Sequence, residues 1–277
     1  MGRTRTFLAV LSLLIGTSEA QAHEFWIAPE RHMIDAGGDI IADIRVGQNF
    51  SGDARPLLPF SYERLDIISG GKAEPVAGRM GDMPAVNMPA SGPGLATVVA
   101  VTKGVSVNYK TLDDFKAFLV SKGISGVLED HRARGLPQAN FPEKYRRFAK
   151  SLIAIGRGEG KDEIVGLESE IVAEANPYFD DVSGGLPVQV LFQGAPLGDN
   201  QLDIFARDEA GDVTYTSMRT DKDGRALVPV TAGTDYLLDT VVMQPASASD
   251  FKRDPVWLSF WASLTFRVPA PSETGRQ

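Results

Sequence analysis

His23 is one of only three histidines in the 277-residue chain, and its position opens chemistry that the other two lack. It directly follows a stretch patterned as a secretory signal peptide. Arg3 and Arg5 stand at the start, an apolar run covers Phe7 to Ile15, and Ala20-Gln21-Ala22 is an A-x-A cleavage site. Cleavage after Ala22 makes His23 the amino-terminal residue, whose α-amine and Nδ1 can close a chelate ring on a metal. Ser18-Glu19-Ala20 offers a second cut with small residues at the same two positions. That cut leaves Gln21-Ala22-His23, and an amine, two backbone amides and an imidazole suit square-planar Cu(II) or Ni(II). The plain alternative is a strand that happens to begin with histidine.

His32 lies nine residues beyond His23 and can return beside it if Pro29 starts a turn. An amine and two imidazoles would then form a T-shaped, three-nitrogen brace of the kind copper favours, with Glu24 and Asp35 as oxygen ligands nearby. The metal set expected on these grounds is His23, His32 and Glu24, holding a divalent transition metal (Ni, Co or Cu). His131, within Glu129-Asp130-His131-Arg132, reads as a structural residue on a polar helix. The chain has no Cys, which removes thiolate sites, disulfides and a lipid anchor on a mature cysteine.

Other constellations carry less chemistry. Asp221-Lys222-Asp223-Gly224 looks like the middle of an EF-hand loop, but Arg219 would occupy the first ligand position and no glutamate closes it, so a hairpin turn is expected. There is no G-x-S-x-G elbow, P-loop or H-E-x-x-H, and none of the three histidines sits in a Ser or Cys motif, which argues against a hydrolase. Trp257, Phe260 and Trp261 could form a sugar platform, though their alternation with serine and leucine favours core. Removing Arg3, Arg5 and Glu19 with the signal peptide takes the formal net charge from −8 to −9. That balance opposes nucleic acid and anionic membranes as partners and is compatible with attracting cations. The signal run is far shorter than the roughly 20 residues that span a bilayer, and no later segment reaches that length, so a soluble periplasmic protein is expected.

Period-two patterning positions these residues on strands. Asp39 to Gly47, Tyr62 to Ser69 and Leu95 to Thr102 are candidate strands. Helical periodicity takes over near Thr111, where Asp114 completes a capping-box variant and Phe115, Phe118 and Leu119 form a stripe. A second helix is expected over Ser125 to Arg134. A third should follow Pro142, with Tyr145, Phe148 and Leu152 on one side and the basic residues Lys144, Arg146, Arg147 and Lys150 on a solvated face. From Leu186 short strands recur between turns, the pattern of a β-sandwich. The expected fold is mainly β: an N-terminal β domain over 23–175 with a helical insertion at about 111–152, then a C-terminal sandwich over 186–268.

Several stretches together resemble a bacterial family of exported proteins that carry a domain of unknown function. The stretches are AHEFWIAP, VGQNFSG, Ala175-Asn176-Pro177-Tyr178, LPVQVLFQGAPL, RTDKDGRA and WLSFWASLTF. The family is provisionally described as a periplasmic component of nickel uptake or cobalt transport. The resemblance implies a non-catalytic metal-binding accessory that serves an envelope transporter or outer-membrane receptor. It also implies a transthyretin-like or carboxypeptidase-regulatory-like C-terminal sandwich. A non-metal adhesion or scaffold module, binding a protein or glycan through the sandwich, is the alternative. A copper oxygenase built on the His23 brace ranks below both.

Overall fold

The computed structural model describes residues 23–247 and 254–273; the expected signal peptide lies outside them. The chain opens with β1 (Glu24–Pro29), β2 (Met33–Ile34), β3 (Asp39–Gln48) and β4 (Ser51–Arg55). There follow β5 (Tyr62–Ser69), β6 (Lys72–Pro75), β7 (Val86–Pro89), β8 (Gly94–Thr102) and β9 (Val105–Tyr109). Helices α1 (Leu112–Ser121) and α2 (Val127–Ala133) come next, then β10 (Phe141–Ile155) and β11 (Ser169–Ala173). The chain continues with β12 (Leu186–Phe192), β13 (Ala195–Pro196), β14 (Gln201–Arg207) and β15 (Val213–Arg219). It closes with β16 (Arg225–Val228), β17 (Thr234–Pro245) and β18 (Trp257–Val268). No described helix is long and apolar enough to cross a membrane.

The expected mainly-β class holds, and the strands read at period two fall where the patterning puts them. A ten-stranded sheet, ordered β15-β14-β17-β18-β10-β8-β5-β6 with β2 and β9 also on β10, forms the middle layer. A four-stranded sheet of β1, β3, β4 and β7 packs on one face, burying Ile27, Ile40 and Ile44 against Ala149, Ile153 and Val98. A second four-stranded sheet of β11, β12, β13 and β16 packs on the other, burying Ile171, Val188 and Val190 against Leu152, Leu264 and Phe266.

Two expectations need correction. The third helix is instead the fifteen-residue strand β10. It pairs in parallel with β18 from Glu143 to Ser151 and antiparallel with β9 and β8 at its two ends. Buried on both faces from Phe148 to Ile155, such a strand loses the polar/apolar alternation of a half-exposed one, so Tyr145, Phe148 and Leu152 mimic a helical stripe. Lys150 is not on a solvated face either. It is 0% exposed and held by Asp162 and Glu170. The helical insertion therefore ends with α2. Residues 174–185 connect β11 to β12, which are partners in one sheet, and β10 and β18 join the two halves in the middle layer.

The VGQNFSG stretch shows how local sequence ties the layers together. Gln48 pairs with Ser51, and the two residues between them, Asn49 and Phe50, have φ of 53° and 59°. Two left-handed residues in a two-residue loop make a type I′ hairpin turn. A Cβ on Gly47 would lie 2.0 Å from the Ser51 carbonyl oxygen, so only glycine fits there. Phenylalanine is costly in this conformation. Its buried ring offsets that by packing with Trp26, Phe205 and Leu237, which fastens the β3–β4 hairpin to strands β14 and β17.

Candidate functional site

The three residues expected to bind metal all lie on or beside β1. His23 precedes its first residue and His32 lies three residues past its last. Six residues of strand at about 3.3 Å each hold the two ends roughly 20 Å apart, so the return at Pro29 does not bring the histidines together. β1 stays extended because all six of its residues pair with β3. His32 is buried, with Nδ1 3.1 Å from the Leu152 carbonyl and 3.4 Å from the Tyr178 hydroxyl. Burial holds its pKa below the ordinary histidine value. Glu24 turns inward, its Oε1 3.2 Å from Lys122 Nζ. Among the described residues no group of three or more histidine, aspartate and glutamate side chains is placed to hold a metal ion. Asp35 lies with His32 in a separate cleft, away from His23.

His23 itself opens onto a cleft of about 670 Å³ whose lining includes Arg55, Tyr62, Ser106, Tyr145 and Arg147. Arg147 projects from β10 and donates from Nη2 to the His23 carbonyl at 3.0 Å. Its guanidinium stacks 4.5 Å from the Tyr145 ring centroid, and its buried Nε has no hydrogen-bond partner. Burial pushes the Arg147 guanidinium below its usual value. The strand thus presents His23 at a fixed position, with its carbonyl bound and its neighbour Glu24 anchored.

Behind Glu24 lies a buried charge cluster. Lys122 caps the C-terminus of α1, and its Nζ is 2.9 Å from Asp203 Oδ2 and 3.0 Å from Asp239 Oδ2, besides Glu24. Asp203 and Asp239 are register partners on β14 and β17. Lys122 also sits 5.0 Å from the centroid of Trp261. Three carboxylates share one ammonium, and Glu24 Oε2 and Asp239 Oδ1 have no hydrogen-bond partner. Burial pushes the Asp239 carboxyl up to about 7; Lys122 opposes the shift, and Glu24 and Asp203 add to it. The same carboxylates hold Lys122 well above the usual lysine range despite burial. Sequence offers no signal for this cluster, because Lys122 is 81 residues from Asp203 and 117 from Asp239.

His131 has the structural role its context implies. It is 0% exposed, Nε2 lies 2.9 Å from the Pro137 carbonyl, and Nδ1 accepts from Trp257 Nε1 at 3.0 Å. Trp257, Phe260 and Trp261 are all buried, so they form core and not a sugar platform. Replacing His131 by alanine strands the Trp257 N–H and opens a cavity. A stability loss of about 2–4 kcal/mol is expected in denaturant titration, and an unchanged midpoint would refute this role.

The family described as "Domain of unknown function (DUF4198)" matches residues 20–244. The chain belongs to this family. The DUF4198 match begins just before His23 and ends within β17, so it covers the His23 cleft, the carboxylates and lysine of the Lys122 cluster and every strand of both outer sheets. No curated protein matches the chain. Among solved structures, the chain is similar to the "D0-D1 domain of Intimin" at 14% identity and a TM-score of 0.22, covering 88% of this chain and 97% of that one. It is similar at 11% identity and a TM-score of 0.21 to a structure titled "Crystal structure of tetra-tandem repeat in extending region of large adhesion protein". That match covers 89% of this chain and 50% of the other. TM-scores this low carry no argument about fold or function.

The motifs that carry the sequence resemblance have structural roles. Asn176 of the Ala175-Asn176-Pro177-Tyr178 stretch is buried and donates to the Gly158 and Gly160 carbonyls, while Tyr178 donates from its hydroxyl to Leu152. In RTDKDGRA, Asp221 accepts from the backbone N–H groups of Asp223 and Arg225 and closes a tight turn, as expected, in place of a calcium loop.

Proposed function

We propose that this protein is a non-catalytic, exported binding protein that captures a late transition metal (nickel, cobalt or copper) at its processed amino terminus. The metal would then be handed to an envelope transporter or receptor. The observation that supports this reading is the seat of His23. Cleavage after Ala22 would add an α-amine to His23, which lines an open cleft and is held there by the Arg147 contact beside the β1–β3 pairing. A flexible tail would have to be ordered before it could chelate; this terminus is already positioned, which lowers the entropic cost of binding. His32 and Glu24 drop out of the ligand set because their side chains have partners elsewhere in the core.

Calorimetry on the mature protein, with its start at His23 established by intact mass, tests the reading. Copper should bind more tightly than nickel or cobalt, following the Irving–Williams order. Binding should weaken as pH falls, since protons compete for the same nitrogen lone pairs. His23→Ala, or one extra residue ahead of His23, should abolish it, whereas His32→Gln should leave it intact. Equal binding by His23→Ala would remove the metal reading.

A scaffold reading has one observation in its favour. β15 is an edge strand of the ten-stranded sheet with Val213 and Tyr215 exposed, and an unpaired edge can accept a partner strand.

A further inference from the structure

The cleft at His23 carries charge of one sign. Arg55 and Arg147 line it together with His23, and none of its lining residues is an aspartate or glutamate. This stands out in a chain of formal net charge −8. Processing would add the α-amine to the same side of the balance. The second cleft, by contrast, is lined by both signs, and its Arg267 is already paired with Asp235 and Glu273.

Arg147 is the informative residue. A guanidinium has five N–H donors in a planar fork. Here one Nη2 contact to the His23 carbonyl orients it, the Tyr145 ring supports one face, and the buried Nε has no acceptor. A guanidinium oriented in this way in the wall of an open cleft suits the two oxygens of a carboxylate. Around it, Tyr62 and Tyr145 offer ring faces and hydroxyls, and Ser61 and Ser106 add further donors. The volume of about 670 Å³ falls within the range of about 300–1,000 Å³ typical of small-molecule sites, far larger than a bare ion needs.

We propose that this cleft binds a small polycarboxylate through Arg147 and Arg55, and that the metal reaches His23 as the complex of that carboxylate. The carboxylate site stands on its own observations; only the second half of the proposal rests on the metal-binding reading above. The arrangement resolves an electrostatic conflict. A bare divalent cation approaching His23 meets two guanidinium groups, whereas an anionic chelate is attracted by both and still presents its metal to the imidazole.

The experiment is calorimetry on the mature protein at neutral pH with three titrants: sodium citrate, nickel chloride, and the one-to-one nickel–citrate complex. Citrate alone should bind, and the complex should bind at least tenfold more tightly than either component. Arg147→Gln should weaken citrate and complex by tenfold or more, with circular dichroism establishing that the variant is folded. Arg55→Gln, on the exposed rim, gives an independent reading if Arg147→Gln does not fold. His23→Ala should erase the advantage of the complex over citrate. Absence of citrate binding by the wild-type protein, or unchanged citrate affinity in both arginine variants, overturns the carboxylate site while nickel chloride still judges the metal reading separately. Citrate binding with no heat from nickel chloride and no gain for the complex keeps the carboxylate site and overturns its link to metal.

Discussion

Lys122→Met is expected to cost about 3–5 kcal/mol of folding stability, because it removes the ammonium that the buried carboxylates of Glu24, Asp203 and Asp239 share. Asp239→Asn should behave differently. It leaves Lys122 two carboxylate partners, keeps the shape of the side chain and removes one of the surplus negative charges. The pH dependence separates the two. The Asp239 carboxyl is pushed up to about 7 in the folded protein, against about 3.9 for an unperturbed aspartate. A folded-state pKa above the unfolded one means that the folded state holds the extra proton between those values. The stabilisation linked to that proton is fully present below about pH 4 and is lost as pH rises through about 7. Denaturant midpoints of the wild type should therefore fall between pH 5 and pH 8, and those of Asp239→Asn should fall less and match or exceed the wild type at pH 8. A loss in Asp239→Asn as large as in Lys122→Met at pH 8 would show that all three carboxylates are needed ionised.

Lys150→Met is expected to have a comparable cost, about 3–5 kcal/mol, with a different local consequence. Lys150 Nζ lies 2.8 Å from Asp162 Oδ1 and 3.2 Å from Glu170 Oε1, and also donates to the Glu163 carbonyl. Both carboxylates in turn hold backbone. Asp162 accepts from Ala173 N–H, and Glu170 accepts from the N–H groups of Val165 and Leu167. The irregular segment between β10 and β11 is thus organised around one buried ammonium. Burial holds Asp162 above the usual aspartate range, and Lys150 works against that shift. Removing the lysine should raise hydrogen exchange across 161–170 and create a new protease-sensitive site there, while strands β17 and β18 stay protected. Adding Asp162→Asn and Glu170→Gln to Lys150→Met should recover part of the loss, because it removes the two uncompensated charges. No recovery would mean that packing around the lysine stem, and not charge, dominates.

Much of this architecture was legible in the chain. Where a strand has one wet face, as Asp39–Gln48 does, apolar and polar residues must alternate, and the boundary follows from the alternation. Where a helix must satisfy its own first N–H groups, Thr111 and Asp114 declare its start, and both capping contacts form. The structural reading of His131 and the core reading of the C-terminal aromatics followed from their neighbours in sequence. β10 escaped this logic because from Phe148 onward it is sandwiched between two layers and has no wet face to mark its period, and its lysine is neutralised by residues 12 and 20 positions away. The His23 cleft and the Lys122 cluster escaped for a related reason. Arg147 reaches His23 across 124 residues, and Lys122 meets Asp239 across 117. Local sequence determines periodicity, caps and turns because those are contests between a residue and its nearest backbone. Which charges meet is decided only when strands pair, since burial in a low-dielectric layer makes the pairing of distant charges obligatory and no short-range pattern records it.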